Sequence, residues 1–244
     1  MNYISLGYFC SVASELERYG LRGESYPFDW VISDFGGVVE AIQNNFSNFL
    51  DYDFLAQSSL NHSVYENTKY NIRFFHDFDK YIPLKKQLPQ VQDKYCRRIK
   101  RFYQTIVSPT LFIRYISDEK TIHGVSEELL YIEKNYEQIL EMLKSFHRDN
   151  DILFIAHGGV ESSKFNIYHV PKDDNDVVAR TPFSANPDLH RKFSQEEIPD
   201  KQKNIERCLK KEKDKRKLCS RIKRKSAAAL KNVFLKEYIH EKQF

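Results

Sequence analysis

Two stretches carry residue types that can do covalent chemistry. The first is "ISLGYFCSVASEL", residues 4–16, where a lone thiol, Cys10, stands between an apolar run and a segment of helical spacing. A thiol in a strand-to-helix turn meets backbone N–H groups and the positive end of the helix dipole. Both favour the thiolate, and the N–H groups can hold an oxyanion. The alternative is a small apolar residue filling a core, and position alone does not decide between them. The second stretch is "DILFIAHGG", residues 151–159. His157 ends an apolar run, and Gly158 and Gly159 would let the backbone approach a ligand closely. His157 is therefore a candidate base or binding residue, or else a strand-end histidine satisfied by its neighbours.

Other chemistries find little support. His62, His123, His147, His169, His190 and His240 show no metal-ligand spacing. There is no GxGxxG, no P-loop and no GxSxG elbow, and "GVESSKFN" is too weak a pattern for a phosphate site. Neither a metal nor another cofactor is expected. Cys10, Cys96, Cys208 and Cys219 lie far apart without a CxxC pair, which fits a reducing compartment better than a disulfide framework. No run approaches the ~20 apolar residues of a membrane span, and the N-terminus lacks the pattern of a signal peptide. The expected location is cytoplasmic.

These residues need elements to position them. Residues 3–6 read as a strand, and a helix follows from Ser11, a reasonable N-cap, with Val12, Leu16 and Tyr19 roughly on one face. Apolar residues at helical spacing extend a second helix over 34–50, and 69–78 reads as a strand with mixed faces. A helix over 91–107 precedes "TLFIRYI", 110–116, an almost continuous apolar run of the kind found in buried parallel strands. A long helix at 126–147, a strand at 151–157 and a third at 164–170 follow, and 172–200 looks like loop. Strands alternating with helices give an α/β class: a mostly parallel sheet with helices on both faces, in a single domain over 1–200.

The charge is uneven. Residues 201–244 carry 16 Lys and Arg against 5 Asp and Glu, and the remainder carries 22 against 29. A basic helical extension on an acidic body suggests an anionic contact. A membrane surface, reached peripherally at the inner membrane, is the functional reading, and a merely solvated helix is the plain one. Nucleic acid fits poorly, because the tail has few interleaved aromatic residues.

Several motifs together resemble a known family. They are "SLGYFC" with Cys10, Leu21-Arg22, "PFDW" at 27–30, "HDF" at 76–78 and "RRI" at 97–99. In this combination the chain resembles a bacterial domain family of unknown function described as papain-like cysteine peptidases. The resemblance implies Cys10 as nucleophile, His76 as its base, and an α+β papain-like fold as the alternative to the parallel α/β reading. A third residue should orient His76. Asp77 is adjacent, but neighbouring strand side chains point to opposite faces. Asp29, a carboxylate in an apolar cluster, is the better candidate unless it caps a turn or pairs with Arg22. Arg22 and Trp30, with Gly158 and Gly159, would then shape the pocket.

The sequence therefore supports a cysteine-dependent hydrolase or acyltransferase acting on an amide, ester or thioester, with a peptide favoured by the resemblance. The rival readings are a surface-polysaccharide or glycan assembly protein that binds a sugar or nucleotide sugar at the membrane, and a non-catalytic binding module.

Overall fold

In a computed structural model, residues 1–158, 161–171 and 180–194 are described. The chain divides into two units, Met1–Ile198 and Pro199–Phe244, and every described residue belongs to the first. The basic extension at 201–244 and Gly159 thus lie outside the described residues.

Along the chain the elements are β1 (Asn2–Ser5), α1 (Ser11–Arg18), β2 (Val31–Ser33), α2 (Phe35–Gln43), β3 (Leu55–Gln57), β4 (Tyr65–Asn67), β5 (Ile72–Phe74) and α3 (Leu84–Ile106). There follow β6 (Thr110–Tyr115), β7 (Thr121–Ile122), β8 (Val125–Ser126), α4 (Glu127–Phe146), β9 (Asp151–His157), β10 (Ile167–Val170), α5 (Pro182–Ala185) and α6 (Pro187–Ser194).

β1, β6, β9 and β10 form a four-stranded sheet in that order, every pair parallel. All six residues of β6 are buried, as are all of β9 after Asp151. That is why these strands read as continuous apolar runs: a parallel sheet is covered on both faces. One face, with Ile4, Phe112, Ile152 and Phe154, packs against residues of α2, α3 and α4. The other, with Tyr3, Leu111, Ile113 and Ile155, packs against residues of α1, α5 and α6. The α/β expectation, with helices on both faces, matches this architecture. A second sheet, in the order β2-β5-β4-β3, is wholly antiparallel, so the α+β reading also has a counterpart.

Three segments depart from the sequence reading. The second helix stops at Gln43, because Asn45, Phe46 and Asn48 take left-handed backbone, φ 51°, 57° and 62°. Phe46 and Phe49 stay buried, so their spacing imitated a longer helix. α3 begins at Leu84 and carries Pro89 inside it, a residue that removes one backbone hydrogen bond. Residues 182–194, read as loop, form α5 and α6. Their partner is a buried carboxylate: Glu15 of α1 accepts the N–H groups of Phe183 at 3.1 Å and Ser184 at 3.2 Å.

Candidate functional site

In a parallel sheet the ligand crevice lies at the carboxyl ends of the strands. Gly7, just past β1, has φ +83°, and a Cβ there would stand 2.4 Å from Ser33 Oγ. Glycine is required on both counts. Cys10 then serves as N-cap of α1, its carbonyl accepting the Ser14 N–H at 2.9 Å. Ser11, expected as the cap, is instead the first helical residue, and no side chain caps this helix.

Among the described residues no acceptor takes the N–H groups of Ser11, Val12 or Ala13. All three residues are buried, and the Ser11 hydroxyl is buried without a partner. A buried helix start left unsatisfied in this way is uncommon. The Cys10 thiol is half-buried, and burial pushes its pKa up, with its own backbone hydrogen bond acting the other way. This corrects the expectation of a lowered thiol pKa. Burial is the larger of the two causes.

His157 closes β9 at the same end of the sheet. Along β9, Leu153 and Ile155 lie at two-residue spacing from it, on the same side of the strand, and face the α1 side. The Tyr115 hydroxyl stands 3.3 Å from Nδ1 and 3.4 Å from Nε2 of His157, and the two rings meet edge-on at 5.5 Å. Cys10 follows β1, and only β6 separates β1 from β9. The two strands are therefore two spacings apart, roughly 10 Å. Cys10 and His157 thus both follow strands at the carboxyl edge of the sheet, Cys10 at the start of the helix that packs on the face of Leu153 and Ile155.

His76 is placed differently. It is exposed and lines a cleft of about 450 Å³ with Asp77, Lys94 and Arg97. Cys10 does not line that cleft, and no hydrogen bond joins Cys10 to His76. Asp77 turns inward, its side chain 2 % exposed, and engages Lys94 and the Tyr95 hydroxyl. β5 ends at Phe74, short of the strand expected over 69–78, so His76 and Asp77 lie in a bend beyond it and no strand alternation acts on them.

Asp29 does not orient His76 either. Its Oδ2 accepts from Arg22 Nε at 3.0 Å and from the Tyr26 N–H at 2.8 Å, while Oδ1 is buried without a partner. Arg22 also reaches Glu17 at 3.0 Å and lies over the Trp30 ring at 5.0 Å. Burial raises the Asp29 pKa against the pull of Arg22 and Arg98. Arg98 lies over the Tyr95 ring at 5.0 Å. The "LR", "PFDW", "HDF" and "RRI" motifs thus converge on one buried polar corner that fixes the antiparallel sheet to α3. Arg22 and Trp30 serve that corner. Gly158 is exposed, with nothing within 4 Å of where a Cβ would be.

One residue the sequence reading passed over is Arg114, fully buried at the last but one position of β6. It donates to Glu128 from Nε at 2.8 Å and Nη2 at 2.6 Å, and to the Leu6 carbonyl and Ser33 Oγ, each at 2.8 Å. A further bond runs to the Ser33 carbonyl at 2.6 Å. It ties β1, β2, β6 and α4 together. The signal was available as the single charge in "TLFIRYI". Beside this knot lies a polar cavity of about 190 Å³, lined by Tyr8, Ser33, Asn71, Arg73, Ser117 and Glu128 among others.

Residues 1–159 match the family described as "Putative papain-like cysteine peptidase (DUF1796)". The chain belongs to this family. The matched span includes Cys10, His76, Arg114 and His157. The chain is also similar to "Uncharacterized protein R408" of Acanthamoeba polyphaga mimivirus, 30% identical over 201 residues, covering 71% of this chain and 89% of that protein. No solved structure matches it.

In this member of the family the thiol follows the first strand of a parallel sheet, at the start of α1. Among the described residues no group of three or more His, Cys, Asp and Glu side chains is arranged to hold a metal ion. No helix among them is long and apolar enough to cross a membrane.

Proposed function

We propose that the protein is a cysteine-dependent hydrolase or acyltransferase acting on an amide, ester or thioester, with Cys10 as nucleophile and His157 as its base. The observation that carries this reading is the uncapped, buried start of α1 directly after Cys10, at the carboxyl edge of the sheet where His157 ends β9. A half-buried thiol with a raised pKa is a poor nucleophile until a base takes its proton. An imidazole at the same edge supplies that base and returns the proton to the leaving group. The backbone N–H groups of α1 face the position where charge develops on the acyl oxygen. His76, the base implied by the family resemblance, lines a separate cleft.

The test is hydrolysis of chromogenic acetyl ester, thioester and amide probes, with mass spectrometry of the peptide carrying Cys10. Cys10→Ser abolishes turnover and the acetyl adduct. His157→Gln slows turnover about 100-fold, and His76→Gln leaves it unchanged. Turnover that survives Cys10→Ser would overturn the reading.

A second reading rests on the polar cavity at the same edge, whose hydroxyl, amide and charged groups suit a sugar or nucleotide sugar. Titration calorimetry with nucleotide sugars separates the two, because binding that Cys10→Ala leaves intact supports the glycan reading.

A further inference from the structure

The start of α1 leaves a specific set of donors without acceptors. The N–H groups of Ser11, Val12 and Ala13 have none among the described residues, and the Ser11 hydroxyl is likewise unpartnered. Ser11 is 3% exposed, and Val12 and Ala13 are 0% exposed. Each unmet buried donor costs free energy, so four together at one place call for an occupant. Side chains on a helix lean toward its N-terminus. The Ser11 hydroxyl, on the first helical residue, is therefore carried to the same end as the three N–H groups. No acidic side chain stands in the first turn to occupy the position. All of these groups are donors beside a positive dipole end, which selects an oxyanion.

We infer that the start of α1 is an oxyanion site in which the Ser11 hydroxyl is a donor alongside the backbone N–H groups, and that it receives the acyl oxygen of a substrate attacked by Cys10. The second half of this statement rests on the proposed function. The first half stands without it. Thiolate attack forms the C–S bond, and the carbonyl π pair moves onto oxygen. The thiol proton has passed to His157, and the oxyanion is held at α1. Collapse re-forms the carbonyl, and the leaving group departs with the proton from His157. Ser11 donates a hydrogen bond throughout and transfers no proton.

The experiment uses the full chain and inorganic phosphate and sulfate as probes, with chloride at equal ionic strength as control. Amide resonances of Ser11, Val12 and Ala13 are followed by 1H–15N correlation spectra during titration. Alkylation of Cys10 by iodoacetamide is followed in parallel, with exposed Cys96 as the internal reference. The expected result is saturable shifts at the three amides and slower alkylation of Cys10 alone. Ser11→Ala weakens anion binding about tenfold, and Ser11→Thr restores much of it.

A purely structural serine gives a different pattern, because Ser11→Ala then lowers the melting temperature and leaves anion affinity unchanged. In an oxyanion site the alanine variant melts no lower than the parent, since it removes a buried hydroxyl that has no protein partner. Shifts confined to surface lysines and arginines, with none at residues 11–13, would overturn the site. Binding at the three amides combined with full turnover in Cys10→Ser would keep the anion site and remove only the thiol chemistry.

Discussion

The Tyr115 hydroxyl lies within 3.3 Å of Nδ1 and 3.4 Å of Nε2 of His157, at the carboxyl edge of the parallel sheet. Both side chains are buried, and both stand on the face covered by α1. A tyrosine so close to both ring nitrogens restricts the swing of the imidazole. Tyr115→Phe keeps the ring packing and removes one buried hydrogen bond, at about 1 kcal/mol. It should lower turnover of the acetyl probes about tenfold with KM little changed. Melting temperature and kinetics measured on the same sample check this. An unchanged kcat in a folded variant would take Tyr115 out of the site.

Arg114 and Glu128 form a pair whose side chains are 0% and 5% exposed. Removing one partner leaves the other charge buried alone. Glu128→Ala should therefore cost about 3–5 kcal/mol, and the double variant Arg114→Met, Glu128→Leu should recover most of that loss. Urea unfolding of the parent, the single and the double variants gives the comparison. Equal losses in the single and double variants would show that the knot stabilises through its hydrogen bonds to Ser33 and Leu6 rather than through the ion pair.

The parallel sheet was legible because β6 and β9 are buried on both faces and read as unbroken apolar runs. The position of Cys10 between β1 and α1 followed from the same pattern. The proposed base was harder to read. His76 and His157 both fall within segments that read as strands, and only the tertiary arrangement shows which of them ends a strand of the sheet that contains β1. The "PFDW" carboxylate was open between two roles, and its pairing with Arg22 depends on a turn that brings residues 22 and 29 together. Arg114 was missed because its partners, Leu6, Ser33 and Glu128, are distant in sequence. The α5–α6 segment was missed because what orders it is Glu15, whose burial no local pattern announces.

Three carboxyls, Glu15, Asp29 and Glu128, have pKa values raised above the ordinary range, in each case chiefly by burial and against the pull of an arginine. The folded protein holds their protons more tightly than the unfolded chain does. Their contribution to stability is then fully present below the ordinary carboxylate range, near about pH 4, and is lost as pH rises through the folded values. Glu15→Gln removes one such group and keeps an oxygen that can accept from Phe183 and Ser184. The stability of Glu15→Gln relative to the parent should improve steadily from pH 4 to pH 7 in urea midpoints. A relative stability that falls over that range would reverse the assigned direction.

The conformation of the Cys10 loop rests on Gly7. An alanine there combines a φ of +83° with a Cβ 2.4 Å from Ser33 Oγ and 3.1 Å from Arg114 Nη1. Neither neighbour can yield freely, because Ser33 Oγ and Arg114 Nη1 are bonded to each other at 2.8 Å. Gly7→Ala should cost at least about 3 kcal/mol. Gly37→Ala makes a second test away from the thiol, since its Cβ would stand 1.7 Å from the Tyr70 carbonyl oxygen, so α2 must move off the antiparallel sheet. Gly23→Ala is the control, with nothing within 4 Å of its Cβ and an expected change within about 0.5 kcal/mol. Thermal and urea unfolding of the three variants rank them. The distinguishing result is Gly7→Ala losing both stability and Cys10 alkylation selectivity, while any Gly37→Ala protein that remains folded keeps the selectivity. If Gly7→Ala were as stable as Gly23→Ala, the packing of Gly7 against Ser33 and Arg114 would not be what sets the Cys10 loop.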